Sequence, residues 1–150
     1  MKKGKAFILV GHENWGKSRT IYALTESNHV GWFTIHGTNF FIRRMSNDDK
    51  PDELLEFIRK TFPVRKPYII ITLCPNFEKR WKNTTKIIGL LKEKYDLYFL
   101  IIKKKFIDDN EITQQEIDNL SLQGIVEIIE ERINDRSRAE RLKAFILEYK

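Results

Sequence analysis

Short apolar runs alternate along the chain with stretches whose apolar residues recur every third or fourth position, and the alternation repeats five times. Ala6-Phe7-Ile8-Leu9-Val10 opens the series as a strand. Arg19-Thr20-Ile21-Tyr22-Ala23-Leu24 follows as a helix, which the polar Thr25-Glu26-Ser27-Asn28-His29 closes. Val30-Gly31-Trp32-Phe33-Thr34-Ile35 is rich in aromatic and β-branched side chains, which suit a pleated, half-buried surface. His36-Gly37-Thr38-Asn39 then leads to Phe40-Phe41-Ile42, so this segment is either a hairpin or one strand interrupted at Gly37.

Ser46-Asn47-Asp48-Asp49 followed by Pro51 reads as a helix start, with capping residues and an early proline. Leu54, Leu55, Ile58 and Phe62 continue it at helical spacing. Tyr68-Ile69-Ile70-Ile71-Thr72-Leu73-Cys74 is apolar without alternation, as in a parallel strand buried on both faces, and Pro75 ends it. Asn83-Thr84-Thr85 offers a further cap, with Ile87, Ile88, Leu91 and Tyr95 on one helical face. Residues 97–102 form the next buried strand, 114–122 a helix ended by Gly124, Ile125-Val126-Glu127-Ile128-Ile129 a last strand and 137–149 a terminal helix. This order predicts an α/β fold in one domain spanning 1–150. It is a three-layer α/β/α sandwich around a mainly parallel five-stranded sheet, with right-handed crossovers and ligands at the carboxyl ends of the strands.

The 150 residues suffice for one full core, and 41% hydrophobic with 32% charged residues is ordinary globular composition. No apolar run approaches the roughly 20 residues of a membrane helix, and the run after Met1-Lys2-Lys3-Gly4-Lys5 stops at Val10, too soon for a targeting segment. The single Cys74 excludes an internal disulfide and fits a reducing compartment, so a cytoplasmic location is expected. A net charge of +6 favours anionic partners: nucleotides, nucleic acid or phosphorylated molecules. It equally describes a mildly basic protein with no such partner.

Chemistry concentrates in the loop between the first strand and helix, Gly11-His12-Glu13-Asn14-Trp15-Gly16-Lys17-Ser18. Its two glycines reach backbone angles that side chains forbid and let the chain wrap closely round an anion. Amides of the loop and of the first helical turn, reinforced by the helix dipole, make an anion site. Lys17 can reach β- and γ-phosphates, and the Ser18 hydroxyl suits a magnesium ion. Two glycines, a lysine and a serine at this spacing should coincide in under about one chain in a hundred of this length. With the flanking strand and helix in place, chance is the weaker explanation. The expected phosphate-binding residues are therefore Gly11, His12, Glu13, Asn14, Trp15, Gly16, Lys17, Ser18 and Arg19.

Residues 5–25 resemble the Walker A region of the P-loop NTPase superfamily, matching it at every required position. The chain's size and alternation resemble the small-kinase branch, such as nucleotide, shikimate and adenylylsulfate kinases. That resemblance implies ATP, or another nucleoside triphosphate, with Mg2+. It also implies an acid after the second strand that contacts an acceptor hydroxyl, which by position is Asp48 or Asp49, with Arg43 or Arg44 gripping the acceptor. Helix capping by itself accounts completely for both aspartates. A basic lid over the phosphates would fall at Lys103-Lys104-Lys105, although such lids usually carry arginines, whose bidentate grip lysine lacks; a solvated edge of charge is the alternative. Arg132, Arg136, Arg138 and Arg141 read as a charged helix face paired with Glu130, Glu131 and Glu140.

One departure concerns the metal. The Walker B strand normally ends in an aspartate, whereas the candidate here ends Ile71-Thr72-Leu73-Cys74. Magnesium would then rest on Ser18, with Thr72 bonding a metal-bound water, and Glu13 is an unusual acid within the loop. No Asn-Lys-x-Asp element supports guanine specificity, and His12, His29 and His36 lack metal-ligand spacing with Cys74. Phe77 and Trp81 among Lys79, Arg80 and Lys82 suit either base stacking with phosphate contacts or the start of an amphipathic helix. The expected function is a nucleoside triphosphate-binding kinase or NTPase, with Lys17 and Asp48 or Asp49 as catalytic residues and a phosphorylated or nucleotide-like acceptor. The alternative is a nucleotide-dependent module that meets a protein or nucleic-acid partner with little turnover.

Overall fold

In the computed structural model, residues 2–26, 31–48, 50–105 and 110–150 are described. Strands β1 (Gly4–Val10), β2 (Gly31–Ile35), β3 (Thr38–Ile42), β4 (Tyr68–Leu73), β5 (Tyr95–Ile102) and β6 (Ile125–Ile129) alternate with five helices: α1 (Lys17–Thr25), α2 (Pro51–Lys60), α3 (Thr84–Lys94), α4 (Gln114–Ser121) and α5 (Asp135–Tyr149). The strands form one sheet in the order β2-β3-β4-β1-β5-β6. All neighbours run parallel except β2 and β3. The sheet therefore has six strands and not five. The difference lies at His36 and Gly37, whose φ angles of 45° and 78° make a tight two-residue turn and fold 31–42 into a hairpin.

β1 lies between β4 and β5, with Ile8 opposite both Ile71 and Phe99. Its residues Ala6 to Val10 are wholly buried, as are Ile69 to Ile71 on β4, which is why these strands are continuously apolar. Phe7 stacks on Tyr98 at 5.1 Å between ring centres and meets Phe40 and Phe145 edge-on, tying the sheet to the last helix. Each such side chain contributes about 1.5–3 kcal/mol by burial. α1 packs on α5 and α2 on α3.

Several local expectations are corrected. Tyr95 does not extend a helical face but opens β5, fully buried, with its hydroxyl donating to the Lys66 carbonyl at 2.8 Å. Phe62 lies beyond the end of α2 and is 53% exposed. Pro51 does begin α2, but the capping position is Lys50 and no side chain caps it. Asp48 does not cap; it turns toward Lys17. Asp49 lies outside the described residues. Asn83 precedes α3 in a left-handed conformation and donates to Asp52 at 3.2 Å in place of capping. No helix among the described residues is long and apolar enough to cross a membrane.

Candidate functional site

The loop after β1 leaves the sheet with Gly11 N–H donating to Leu73 O at 3.1 Å and turns where Trp15 N–H meets His12 O at 3.3 Å. Asn14 (φ 66°) and Gly16 (φ 85°) occupy the left-handed region, and α1 starts directly afterwards at Lys17. Gly16 stands at the capping position without a side chain, so no cap competes for the first-turn amides, which have no partner within the helix. A cavity of about 670 Å³ opens here, within the size range of small-molecule sites. Residues 13–19 form one wall. Ser46 and Asp48 after β3, Thr72 on β4, Lys105 after β5, and Asn134, Asp135 and Arg138 around the start of α5 complete it. Every contribution comes from the carboxyl end of the sheet, as this topology requires.

Lys17, 5% exposed, is held at three points. Its Nζ donates to Gly11 O at 2.6 Å, to His12 O at 2.9 Å and to Asp48 Oδ2 at 2.9 Å. Asp48 is itself fixed. Its other carboxylate oxygen accepts from the Ser46 hydroxyl, and its backbone carbonyl accepts from Lys82 Nζ at 2.7 Å. Between Ser46 and Asp48, the wholly buried Asn47 receives the Cys74 amide at 2.7 Å and donates to Cys74 O, Lys82 O and Thr84 Oγ1 at 3.0–3.1 Å. This side chain ties the loop after β3 to the end of β4. In the sequence it reads as one of several capping residues; only the long-range contacts reveal the clamp.

Ser18 and Thr72, expected at a metal, both line the cavity. The Thr72 hydroxyl donates to Arg44 O at 2.8 Å, which commits its proton and leaves oxygen lone pairs. Neither Arg43 nor Arg44 lines the cavity; Arg43 lies over the Phe57 ring, 5.5 Å from its centre, and 3.7 Å from Glu53. Of the three lysines after β5, Lys103 is 3.4 Å from Glu130 and Lys104 is 3.7 Å from Glu111, while Lys105 reaches the cavity. Gly11 and His12 support the loop from below and do not line the cavity.

Arg138 is the largest correction to the reading of the basic cluster. It is 1% exposed, and its Nη1 donates to the Trp15 carbonyl of the loop at 2.6 Å. Burial lowers its pKa, an effect that Asp135 opposes. A fixed cation thus stands behind the loop, while Arg141 reaches Glu131 at 3.2 Å. Arg138→Met should lower stability by about 2–3 kcal/mol, the cost of losing a charge-assisted bond to a buried carbonyl, and weaken anion binding. Urea unfolding of the two proteins checks it; equal midpoints and slopes would leave Arg138 without this role.

His12 turns away from the cavity. Its Nε2 lies 3.0 Å from Glu116 and its Nδ1 3.7 Å from Cys74 Sγ, joining the loop to α4. Burial alone would lower its pKa, but the Cys74 sulfur and the Glu116 carboxylate outweigh it and raise the value to about 9. Glu116 is shifted down: burial opposes this, while bonds from His12 and Thr113 prevail. A raised histidine stabilises the fold fully below its unfolded value near 6.5 and loses that contribution as pH climbs toward 9. Glu116 acts oppositely, losing its share as pH falls through its lowered value. Stability should therefore decline between about pH 6.5 and 9 in the wild-type chain, and His12→Gln should flatten that decline in a urea series.

Comparison with known proteins returned no match, whether to a family model, a curated protein or a solved structure.

Proposed function

We propose that the chain is a P-loop nucleotide-binding protein that holds a nucleoside triphosphate, ATP in the simplest case, and transfers its γ-phosphoryl group to a phosphorylated or nucleotide-like hydroxyl acceptor. One observation carries this reading: a Gly-Lys-Ser loop at a helix start, opening on a 670 Å³ cavity in which Lys17 is paired with a second-loop carboxylate, Asp48. The layering supports it. From β1 the chain crosses the sheet in one direction to β3, while the steps β3 to β4, β4 to β5 and β5 to β6 run in the other. With right-handed crossovers, α1 then covers one face and α2, α3 and α4 the other, a three-layer arrangement consistent with the helix pairs in contact. The helices that follow β1 and β4 leave to opposite faces, and the crevice between those two strand ends is where such folds bind ligands.

In this reading the amides of the loop and Lys17 hold the triphosphate, and Arg138 fixes the loop's shape from behind. Ser18 and the Thr72 oxygen are hard oxygen donors facing the cavity, a set that fits Mg2+, and the ion supplies neutralisation of phosphate charge when bound. Asp48 provides, from the loop after β3, the carboxylate that the end of β4 lacks. Freed from Lys17 by the incoming phosphates, it orients the acceptor hydroxyl and takes its proton. The hydroxyl oxygen then bonds to the γ-phosphorus, the bond from that phosphorus to the β–γ bridging oxygen breaks, and the nucleoside diphosphate departs.

Calorimetric titration with ATP and Mg2+, followed by transfer from labelled ATP across an acceptor panel, tests the proposal. Absence of any triphosphate binding would remove its basis. A second reading, a nucleotide-dependent binding module with little turnover, is favoured by the end of β4, where Leu73 and Cys74 stand without a carboxylate. Tight binding with neither transfer nor hydrolysis would select it.

A further inference from the structure

Trp81 is 59% exposed on a single 3-10 turn, Arg80–Lys82, between β4 and α3. The backbone that carries it is fastened on both sides. The turn closes with Lys82 N–H to Lys79 O and Asn83 N–H to Arg80 O, both at 3.0 Å. The Lys82 carbonyl accepts from buried Asn47, and the Lys82 ammonium, on a residue only 3% exposed, lies 4.1 Å from the indole ring centre. That same ammonium donates to Asp48 O, so the ring stands beside a residue of the cavity wall. Lys79 and Arg80 precede it in the chain and Lys86 lies in the first turn of α3, all three exposed, with Glu78 the one acid in the run 78–86. The first turn of α3, which no side chain caps, adds positive potential on the same side.

We infer that this platform binds single-stranded nucleic acid, with a base stacked on Trp81 and backbone phosphates on Lys79, Arg80 and Lys86. A preset aromatic ring accepts any base face without ordering cost, and flanking cations track a backbone without reading sequence. Duplex nucleic acid fits poorly, because its bases are already stacked. Two aspects of the chain agree: the +6 net charge, and the nearness of the ring to Asp48, which would bring a strand end toward the cavity.

The experiment is fluorescence anisotropy of a labelled ten-nucleotide thymidine strand with the full chain at 50 and 200 mM salt, without nucleotide. The expected results are binding in preference to a ten-base-pair duplex and a salt slope near −2, from about three phosphate contacts. Trp81→Ala should weaken binding roughly tenfold or more, Trp81→Phe should retain most of it, and neither should move the thermal midpoint. Strand binding here needs no triphosphate, so it is read in the wild-type chain without nucleotide while a separate titration reads triphosphate binding, and failure of one is a separate result from failure of the other. Equal affinity for duplex and strand, an unchanged Trp81→Ala protein, or no binding at 50 mM salt overturns the inference. So does competition by free thymidine monophosphate as effective, base for base, as competition by unlabelled strand.

Discussion

Asp48→Asn should bind ATP about tenfold more tightly than the wild-type chain and turn it over at least a hundredfold more slowly. In the free protein the Lys17 ammonium is spent on Asp48, at 2.9 Å, with the two side chains 5% and 8% exposed. A triphosphate entering the cavity must take Lys17 from that carboxylate and then share the site with its negative charge. Asparagine keeps the shape and a hydrogen-bonding oxygen while removing the charge, so Lys17 is released at lower cost. Tenfold corresponds to about 1.4 kcal/mol, modest for relief of a like-charge contact in a sheltered site. The same change removes the group proposed to take the acceptor's proton, a loss that typically costs 10²–10⁴ in rate. Affinity and turnover move in opposite directions, and titration calorimetry with a transfer assay reads both. An Asp48→Asn protein that binds more weakly while turning over normally would show that Asp48 has neither role.

Lys17→Ala should abolish measurable triphosphate binding, a loss of at least a hundredfold, and should also weaken the free fold by about 3–5 kcal/mol. The first effect follows from removing the cation that faces the phosphates. The second follows from what remains: a sheltered Asp48 carboxylate that Ser46 holds, on a residue whose backbone carbonyl Lys82 holds, without the Lys17 charge. Alanine at 17 combined with asparagine at 48 should recover most of the stability and none of the binding. Urea unfolding of the two single variants and the double measures the coupling directly. If the double variant is no more stable than Lys17→Ala alone, the pair does not hold the two loops together.

Most of the fold was legible because its strands are buried on both faces. Ile69, Ile70 and Ile71 leave no other reading, and the Gly-Lys-Ser loop stands out by spacing. The hairpin at His36-Gly37 stayed ambiguous because one strand bent at a glycine and two strands turning there have the same local composition. Tyr95 was misread because a helix ends and a strand begins with no loop between them, so helical spacing runs on into β5. The pairing of Asp48, the clamp made by Asn47 and the anchor made by Arg138 were hidden for a different reason. Their meaning lies in partners far along the chain: Lys17 for Asp48, Cys74 and Thr84 for Asn47, and Trp15 for Arg138. Local chemistry describes an aspartate before Pro51 as a cap and an arginine on an acidic helix as a surface charge. Neither description contains the tertiary contact that decides the matter.

The central place of β1 sets the order in which the molecule can be built. Lys5 pairs with Tyr68, Gly4 with Tyr95, and the loop that follows is fastened by Arg138. β1, made before the other five strands, is therefore among the last to be completed, since both its neighbours and the anchor of its loop must be synthesised and brought back across long stretches of chain. Closing such distant contacts slows folding relative to local pairing. At about 5–20 residues per second, the loop after β1 spends roughly six to twenty-five seconds of translation without its fastening. A nascent chain stalled before residue 138 carries Lys17 and Ser18 but lacks the arginine that fastens the loop presenting them.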